Sequence, residues 1–356
     1  MAHPARRAQI IGTGLVGGSV GMALRAAGWF VTGSDVDPAH ADRALERGAV
    51  DAVGTDADAD LVVVAAPVGR IPGLVIGALA DHPQAAVTDV GSVKAPVVAA
   101  VGDPRFVGGH PMAGSEQDGI EGSRPDMFGG AVWVLTPTGH TDPGSYALVH
   151  SAISELGADV VTLAPGGHDA VVAMVSHVPH LTAATLMGLA ARRSEDQAVL
   201  LRLAAGGFRD MTRISAGHPG IWPDICAENS DAIVDVLDEL VAELAAGRDS
   251  VACGDRDGLR VRLDEARRAR LHLPGPAMRP DGLVELLIPM DDRPGQIAAV
   301  TTAATGSGVN IYDIEIAHST EGERGTLIVL VDAALAGALV DLLRADGYQV
   351  SPRSLG

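Results

Sequence analysis

The chain is expected to be an α/β protein. A Rossmann-type doubly wound sheet comes first, an all-helical domain of the kind that forms dimers follows, and a ferredoxin-like βαββαβ module ends it. Three observations predict this. The apolar run Ala8-Gln9-Ile10-Ile11 leads into Gly12-Thr13-Gly14-Leu15-Val16-Gly17, and a second apolar run ends at Asp35, which is the βαβ pattern of a dinucleotide-binding turn. From His168 onward the apolar spacing becomes helical. After Pro274-Gly275-Pro276 to Pro280, strand and helix patterns alternate in ferredoxin-like order. The expected divisions are residues 1–165, 166–273 and 281–356.

The elements follow in order. After the glycine turn a helix reaches about Ala27, and Trp29 to Ser34 form a second strand. The glycines let the backbone approach a pyrophosphate at a helix N-terminus, where free N–H groups and the helix dipole favour anions. Asp35 would accept hydrogen bonds from the adenosine ribose and repel a 2′-phosphate, which favours NAD over NADP. Gly12, Thr13, Gly14, Leu15, Val16, Gly17, Asp35, Pro67 and Ser92 are the candidate cofactor residues. Leu61 to Ala66 is a buried strand ending at Pro67, Val68 to Leu79 contains a helix, and Ala86 to Val90 is a further strand with Gly91-Ser92-Val93-Lys94 at its carboxyl end. Ligands of open parallel sheets sit at that end. Ala131–Pro137 and Asp159–Leu163 are expected to close the sheet.

Gly108-Gly109-His110-Pro111-Met112-Ala113-Gly114-Ser115-Glu116 cannot be a helix interior and is expected as a tight loop. A histidine held there beside a nicotinamide suits proton removal from a substrate hydroxyl. The long segment Asp169–Ala191 carries Ser176-His177-Val178-Pro179-His180, and Pro179 should kink it or free a carbonyl. Gly206-Gly207-Phe208-Arg209-Asp210-Met211-Thr212-Arg213 follows, then an amphipathic stretch from Ile221 to Leu244, then a charged exposed one from Gly258 to Leu271. His168-Asp169 reads as a helix-start pair. Strands at 283–290, 309–317, 326–332 and 348–351 and helices at 295–304 and 333–344 are expected in the last module.

Composition narrows the function. A formal charge of −19 argues against a nucleic-acid or anionic-membrane surface, and 47 % apolar residues exclude a largely disordered chain. Two cysteines, Cys226 and Cys253, make neither a disulfide framework nor a ligand set, so reduced thiols in a cytoplasmic protein are expected. No signal peptide and no apolar run of membrane-spanning length is read from the sequence. Of 26 basic residues only Lys94 is lysine. Its place near the candidate site marks it as a functional candidate. No metal is expected: His177 and His180 lie three apart with no evident third ligand.

On these residues the chain resembles the prephenate dehydrogenase family of tyrosine biosynthesis. Five stretches carry the resemblance in order: Gly12–Gly17, Gly91–Lys94, Gly108–Glu116, Ser176–His180, and Gly206–Arg213 followed by Trp222. The last module resembles an ACT domain, through Asp292-Arg293-Pro294-Gly295 and Gly308-Val309-Asn310-Ile311. The resemblance implies NAD-linked oxidative decarboxylation of prephenate to 4-hydroxyphenylpyruvate and carbon dioxide. It makes His110 the base or hydrogen-bond acceptor for the ring hydroxyl, with Ser92 hydrogen-bonding His110 or the nicotinamide side and fixing their geometry. Arg213, His180, His177, Glu116, Lys94, Gly206 and Trp222 become substrate-side residues. It further implies a homodimer, and an ACT module binding an aromatic amino acid such as tyrosine near Gly295 and Asn310. The alternatives are an arogenate or dual-specificity cyclohexadienyl dehydrogenase, and an NAD-binding amino-acid sensor without catalysis. A hydroxyacid dehydrogenase or imine reductase would usually need a lysine in the helical domain, where there is none.

Overall fold

The computed structural model describes residues 6–115, 117, 119–194, 203–217, 219–271, 283–291, 293, 295–318 and 324–354. The chain divides into two compact units, Met1–Ala245 and Ala246–Gly356.

The first unit is built on one sheet of β1 (Arg7–Ile11), β2 (Phe30–Ser34), β3 (Ala52–Val53), β4 (Leu61–Val64), β5 (Ala86–Asp89), β6 (Phe106–Pro111), β7 (Val132–Thr136) and β8 (Asp159–Thr162), in the order β3-β2-β1-β4-β5-β6-β7-β8. The pairs from β3 to β6 are parallel, and all four residues of β4 and of β5 are buried. Such strands lie covered on both faces, so they read as unbroken apolar runs. One face carries α1 (Leu15–Ala26), α2 (Pro38–Glu46) and, further along, α5 (Pro143–Glu155); its core includes Ile10, Leu24, Trp29, Phe128, Trp133 and Leu135. The other carries α3 (Ile71–Asp81) and the short α4 (Ala95–Ala100), packed on Val62, Val64 and Val87. Each fully buried Val, Leu or Ile contributes roughly 1.5–3 kcal/mol of transfer free energy.

β6 runs antiparallel to β7. One strand feature departs from expectation: β6 takes in Gly108, Gly109 and His110, so the histidine stands on a strand and not on a tight loop. The glycines are needed for close packing: a Cβ on Gly109 would lie 2.6 Å from the Asp89 carbonyl oxygen and 2.8 Å from Thr88 Oγ1.

The helices begin with α6 (Pro165–Val172), a π-helical turn at Ala173–His177, and α7 (Val178–Ser194). Pro179 has no N–H for the preceding turn, and the wide turn sits just before it, as the kink expectation required. By length and composition alone, the stretch Pro165–Arg193 passes for a membrane span. That corrects the reading of no such run. His168, Asp169 and His177 of this stretch are buried in the protein. α8 (Gly206–Thr212), α9 (Trp222–Glu228) and α10 (Ser230–Cys253) follow. The single amphipathic stretch expected from Ile221 is therefore two helices, broken at Asn229. Both cysteines are free thiols.

In the second unit, α11 (Arg256–Leu271) is exposed over residues 260–270, with Gly258 and Leu259 half-buried. The segment read as a Pro/Gly linker lies outside the described residues. β9 (Leu283–Asp291), α12 (Gln296–Gly306), β10 (Ile311–His318), β11 (Arg324–Asp332), α13 (Ala333–Ala345) and β12 (Ser351–Ser354) form an antiparallel sheet in the order β10-β11-β9-β12. This is the expected ferredoxin-like order, over a core of Leu286, Ile288, Leu327, Val329, Leu339 and Leu343. The last strand begins three residues later than expected at Tyr348. Tyr348 instead packs on the core and donates its hydroxyl to Gln296 Oε1 at 3.0 Å. Pro352 is tolerated because β12 is an edge strand.

Candidate active site

The nucleotide turn is built by its glycines. Gly12 sits at φ +95°, and a Cβ there would lie 2.0 Å from the Ala65 carbonyl oxygen; one on Gly17 would lie 1.9 Å from the Gly12 oxygen. These two let β1, α1 and the end of β4 close together. Gly14 differs: nothing lies within 4 Å of where its Cβ would be. The open space falls at the start of α1, whose first turn contains no acid, so an anion meets bare N–H groups there. Asp35, just past β2, accepts from Thr13 N–H at 2.8 Å, Thr13 Oγ1 at 3.1 Å and Asp37 N–H at 3.1 Å. Burial pushes its pKa up, but these hydrogen bonds and nearby His40 outweigh that and hold it below the ordinary value. A fixed carboxylate beside the glycine turn fits the ribose hydroxyls of NAD, and Gly14 leaves room for the pyrophosphate. Pro67 is exposed beyond the carboxyl end of β4 on the same sheet edge.

The catalytic candidate is organised by residues far away in sequence. His110 Nδ1 lies 2.8 Å from His168 Nε2, and His168 Nδ1 lies 2.7 Å from Asp169 Oδ1. Asp169 is held in turn by the α4 N-terminus: Oδ1 accepts Lys94 N–H at 2.8 Å and Oδ2 accepts Ala95 N–H at 2.7 Å. A carboxylate only accepts, so His168 donates through Nδ1 and, when neutral, accepts at Nε2. His110 then donates through Nδ1, which leaves Nε2 as its acceptor. Burial, and after it the unfavourable electrostatic influence of neighbouring His168, Lys94 and His177 on a second positive charge, holds the His110 pKa well below the ordinary histidine value, so the ring is neutral at pH 7. His168 and Asp169 therefore do more than start a helix. The Ser92 expectation changes too: the Nδ1 partner of His110 is His168, while Ser92 stands half-buried at the carboxyl end of β5.

Lys94 is not a substrate-facing cation. Its side chain is fully buried, ion-paired with Asp89, and donates to the Gly109 carbonyl at 2.9 Å. Burial pulls the ammonium's pKa down while Asp89 pushes it back up. Removing one member of such a pair strands the other charge, at roughly 3–5 kcal/mol.

A second cluster lies on α7 and α9. Trp222 stacks on His180 with ring centroids 3.6 Å apart and planes at 11°, and meets His177 edge-on at 6.2 Å. Asn229, at the α9–α10 break, donates to the Asp169 carbonyl at 2.9 Å, and its Nδ2 lies 3.2 Å from His177 Nδ1. That contact makes Nδ1 an acceptor and puts the His177 proton on Nε2. Burial pulls the His177 pKa down to about 4, against the opposing charge of Asp169. Burial also lowers His180. The sequence marks Asn229 by one signal alone, a polar residue interrupting an amphipathic run. Gly206 opens α8, and Arg213 stands exposed at the start of the turn that follows it. Glu116 lies outside the described residues.

Comparison with known proteins fits this geometry. The family profile "Prephenate dehydrogenase, nucleotide-binding domain" matches residues 20–162, and "Prephenate dehydrogenase, dimerization domain" matches residues 164–265. Prephenate dehydrogenase of Bacillus subtilis is 31 % identical over 89 % of this chain and 90 % of its own. Cyclohexadienyl dehydrogenase of Zymomonas mobilis is 34 % identical over 74 % of this chain and 94 % of its own. The crystal structure of Aquifex aeolicus prephenate dehydrogenase with hydroxyphenyl propionate and NAD+ superposes with a TM-score of 0.71, at 30 % identity, over 77 % of this chain and 100 % of that one. With the two family profiles together spanning residues 20–162 and 164–265 and a relative matched along most of its length, the chain belongs to the prephenate dehydrogenase family.

Proposed function

We infer that the chain catalyses the NAD-dependent oxidative decarboxylation of prephenate to 4-hydroxyphenylpyruvate and carbon dioxide. The observation that carries this reading is the Asp169–His168–His110 chain, which leaves His110 Nε2 as a neutral acceptor. Bound NAD supplies the hydride acceptor, held by the Gly12–Gly17 turn and Asp35. His110 takes the proton of the ring hydroxyl as the carbinol C–H bond gives up its hydride. The bond to the ring carboxylate then breaks, its electron pair enters the ring, and carbon dioxide leaves. The phenol oxygen takes the proton back, so the step releases no net proton. While His110 carries that proton, His168 and Asp169 offset its charge. Ser92, at the end of β5, serves orientation on the nicotinamide side. Arg213 is the partner of a substrate carboxylate, because guanidinium matches it bidentately. His180, His177, Trp222, Gly206 and Glu116 complete the substrate side.

The segment 166–273 acts as the substrate and dimerisation domain of a homodimer. The dimerization-domain match supports this, as do exposed apolar side chains at Val171, Met174, Val175, Val241 and Leu244. The module at 281–356 acts as an ACT regulator that binds tyrosine near Gly295 and Asn310. Gly295 takes a left-handed conformation at the start of α12, and Asn310 is exposed beside β10. The enzyme works in the cytoplasm. NADH formation is the test, with prephenate or arogenate, NAD or NADP, and with or without tyrosine. A prephenate–NAD rate that tyrosine suppresses, and that deletion of 281–356 desensitises, is the expected result. Turnover of arogenate alone would overturn the substrate, and no turnover of either would leave an NAD-binding sensor.

A further inference from the structure

We propose that Lys94, paired with Asp89, is a positioning residue for the reaction: it fixes the strand that carries His110 against the helix that carries His168, and so sets the contact between the two imidazoles. The proposal rests on the reading of His110 as proton acceptor.

The parallel pairing of β5 with β6 ends at Thr88 and Val107. Two residues on, at Gly109, the ion pair that begins with the last residue of β5, Asp89, holds that edge of β6. Asp89 Oδ1 accepts Gly109 N–H at 3.0 Å, and Lys94 Nζ donates to Gly109 O at 2.9 Å. Both backbone groups of the residue before His110 are thus gripped by one buried pair. Asp89 Oδ2 also accepts Gly91 N–H at 2.9 Å, which ties the grip to the loop that carries Ser92. The backbone N–H of the same Lys94 donates to Asp169 Oδ1, the oxygen that orients His168. One residue therefore holds both ends of the histidine contact, by its side chain on one side and its main chain on the other.

The residue type fits the task. The chain uses arginine at every other basic position, yet keeps lysine where the cation is fully buried between a carboxylate and a carbonyl. A compact ammonium fits there, and a planar five-donor guanidinium does not. The charged and titratable groups around His110 are His168 and Asp169 from α6, His177 from the π turn, Asp89 from β5, and Lys94.

The test compares wild type with K94M, K94R and the double variant K94M/D89N, which removes both buried charges together and so keeps the experiment decisive if K94M does not fold. With prephenate and NAD, kcat should fall about a hundredfold, as expected for a displaced catalytic group. Both KM values should stay within threefold, since Lys94 reaches neither ligand. K94R should not restore the rate. In 15N-histidine-labelled protein, the hydrogen-bonded His110 Nδ1–H signal should be lost from the double variant. A folded double variant whose kcat lies within threefold of wild type, with that signal intact, overturns the proposal even if its melting temperature falls. Should H110Q keep the wild-type rate, the failure lies with the assignment of His110, and Lys94 has nothing to position.

Discussion

Asp169→Asn tests the site's logic most directly. The carboxylate accepts three hydrogen bonds, from Lys94 N–H, Ala95 N–H and His168 Nδ1. An amide of the same shape can accept on one side only. If its oxygen faces Lys94 and His168, its NH2 meets Ala95 N–H, two donors face to face, costing about 1–3 kcal/mol of stability. If it flips, His168 Nδ1 must accept, its Nε2 becomes the donor, and His110 is driven to the tautomer with its proton on Nε2, where the substrate hydroxyl needs an acceptor. A charge-assisted bond of about 1.5–3 kcal/mol and a neutral one of about 0.5–1.5 kcal/mol select the productive tautomer. Losing 2–4 kcal/mol of that selection lowers kcat roughly 30- to 1000-fold. Initial rates of NADH formation across pH 5–9, with NADH binding measured separately by fluorescence, give the answer. Unchanged cofactor binding with the expected loss in kcat is the predicted result. A kcat within threefold of wild type, or a loss confined to KM, refutes the tautomer argument.

Other outcomes follow from the same geometry. His110→Gln should cut kcat by about 10²- to 10⁴-fold while NADH binding persists. Because His110 must be neutral to accept a proton and its pKa is depressed, the acid limb of kcat/KM should lie below the ordinary histidine value, with activity falling as pH drops through it. Asp35→Ser should lower kcat/KM for NAD by about tenfold and raise it for NADP, since the ribose loses a hydrogen-bond partner and a 2′-phosphate loses a repelling charge. His177 is buried and neutral in the folded protein, with its pKa near 4. Between about pH 6.5 and 4 the unfolded chain binds the extra proton, so this contribution is full above 6.5 and is lost as pH falls, by roughly 2–3 kcal/mol. Urea titrations of wild type and His177→Gln across that range should converge toward the acid end.

What the sequence reveals depends on whether a requirement is local. Gly12, Gly17 and Asp35 were legible because one turn and one strand end impose them on a short stretch. The C-terminal order was legible because its strands and helices alternate cleanly. His110 was legible as a residue but not as a strand residue: Gly108 and Gly109 look like loop glycines, yet they serve the approach of Asp89 and Thr88. The His110–His168 contact joins residues 58 apart, and Asn229 reaches Asp169 across 60. No periodicity or spacing rule connects such positions. Lys94 stands out in the sequence as the single lysine, but only its burial shows that it faces inward.

That burial also gives the protein an unusual surface chemistry. With its single lysine enclosed, the folded chain offers amine-directed acylating reagents no exposed side-chain amine. Amine-directed crosslinkers and resin couplings will find almost nothing to hold while the sheet stays closed. Acylation at residue 94 requires the strands around it to part. Its rate under native conditions therefore counts opening events in the strands beside His110, with no label introduced and no residue changed.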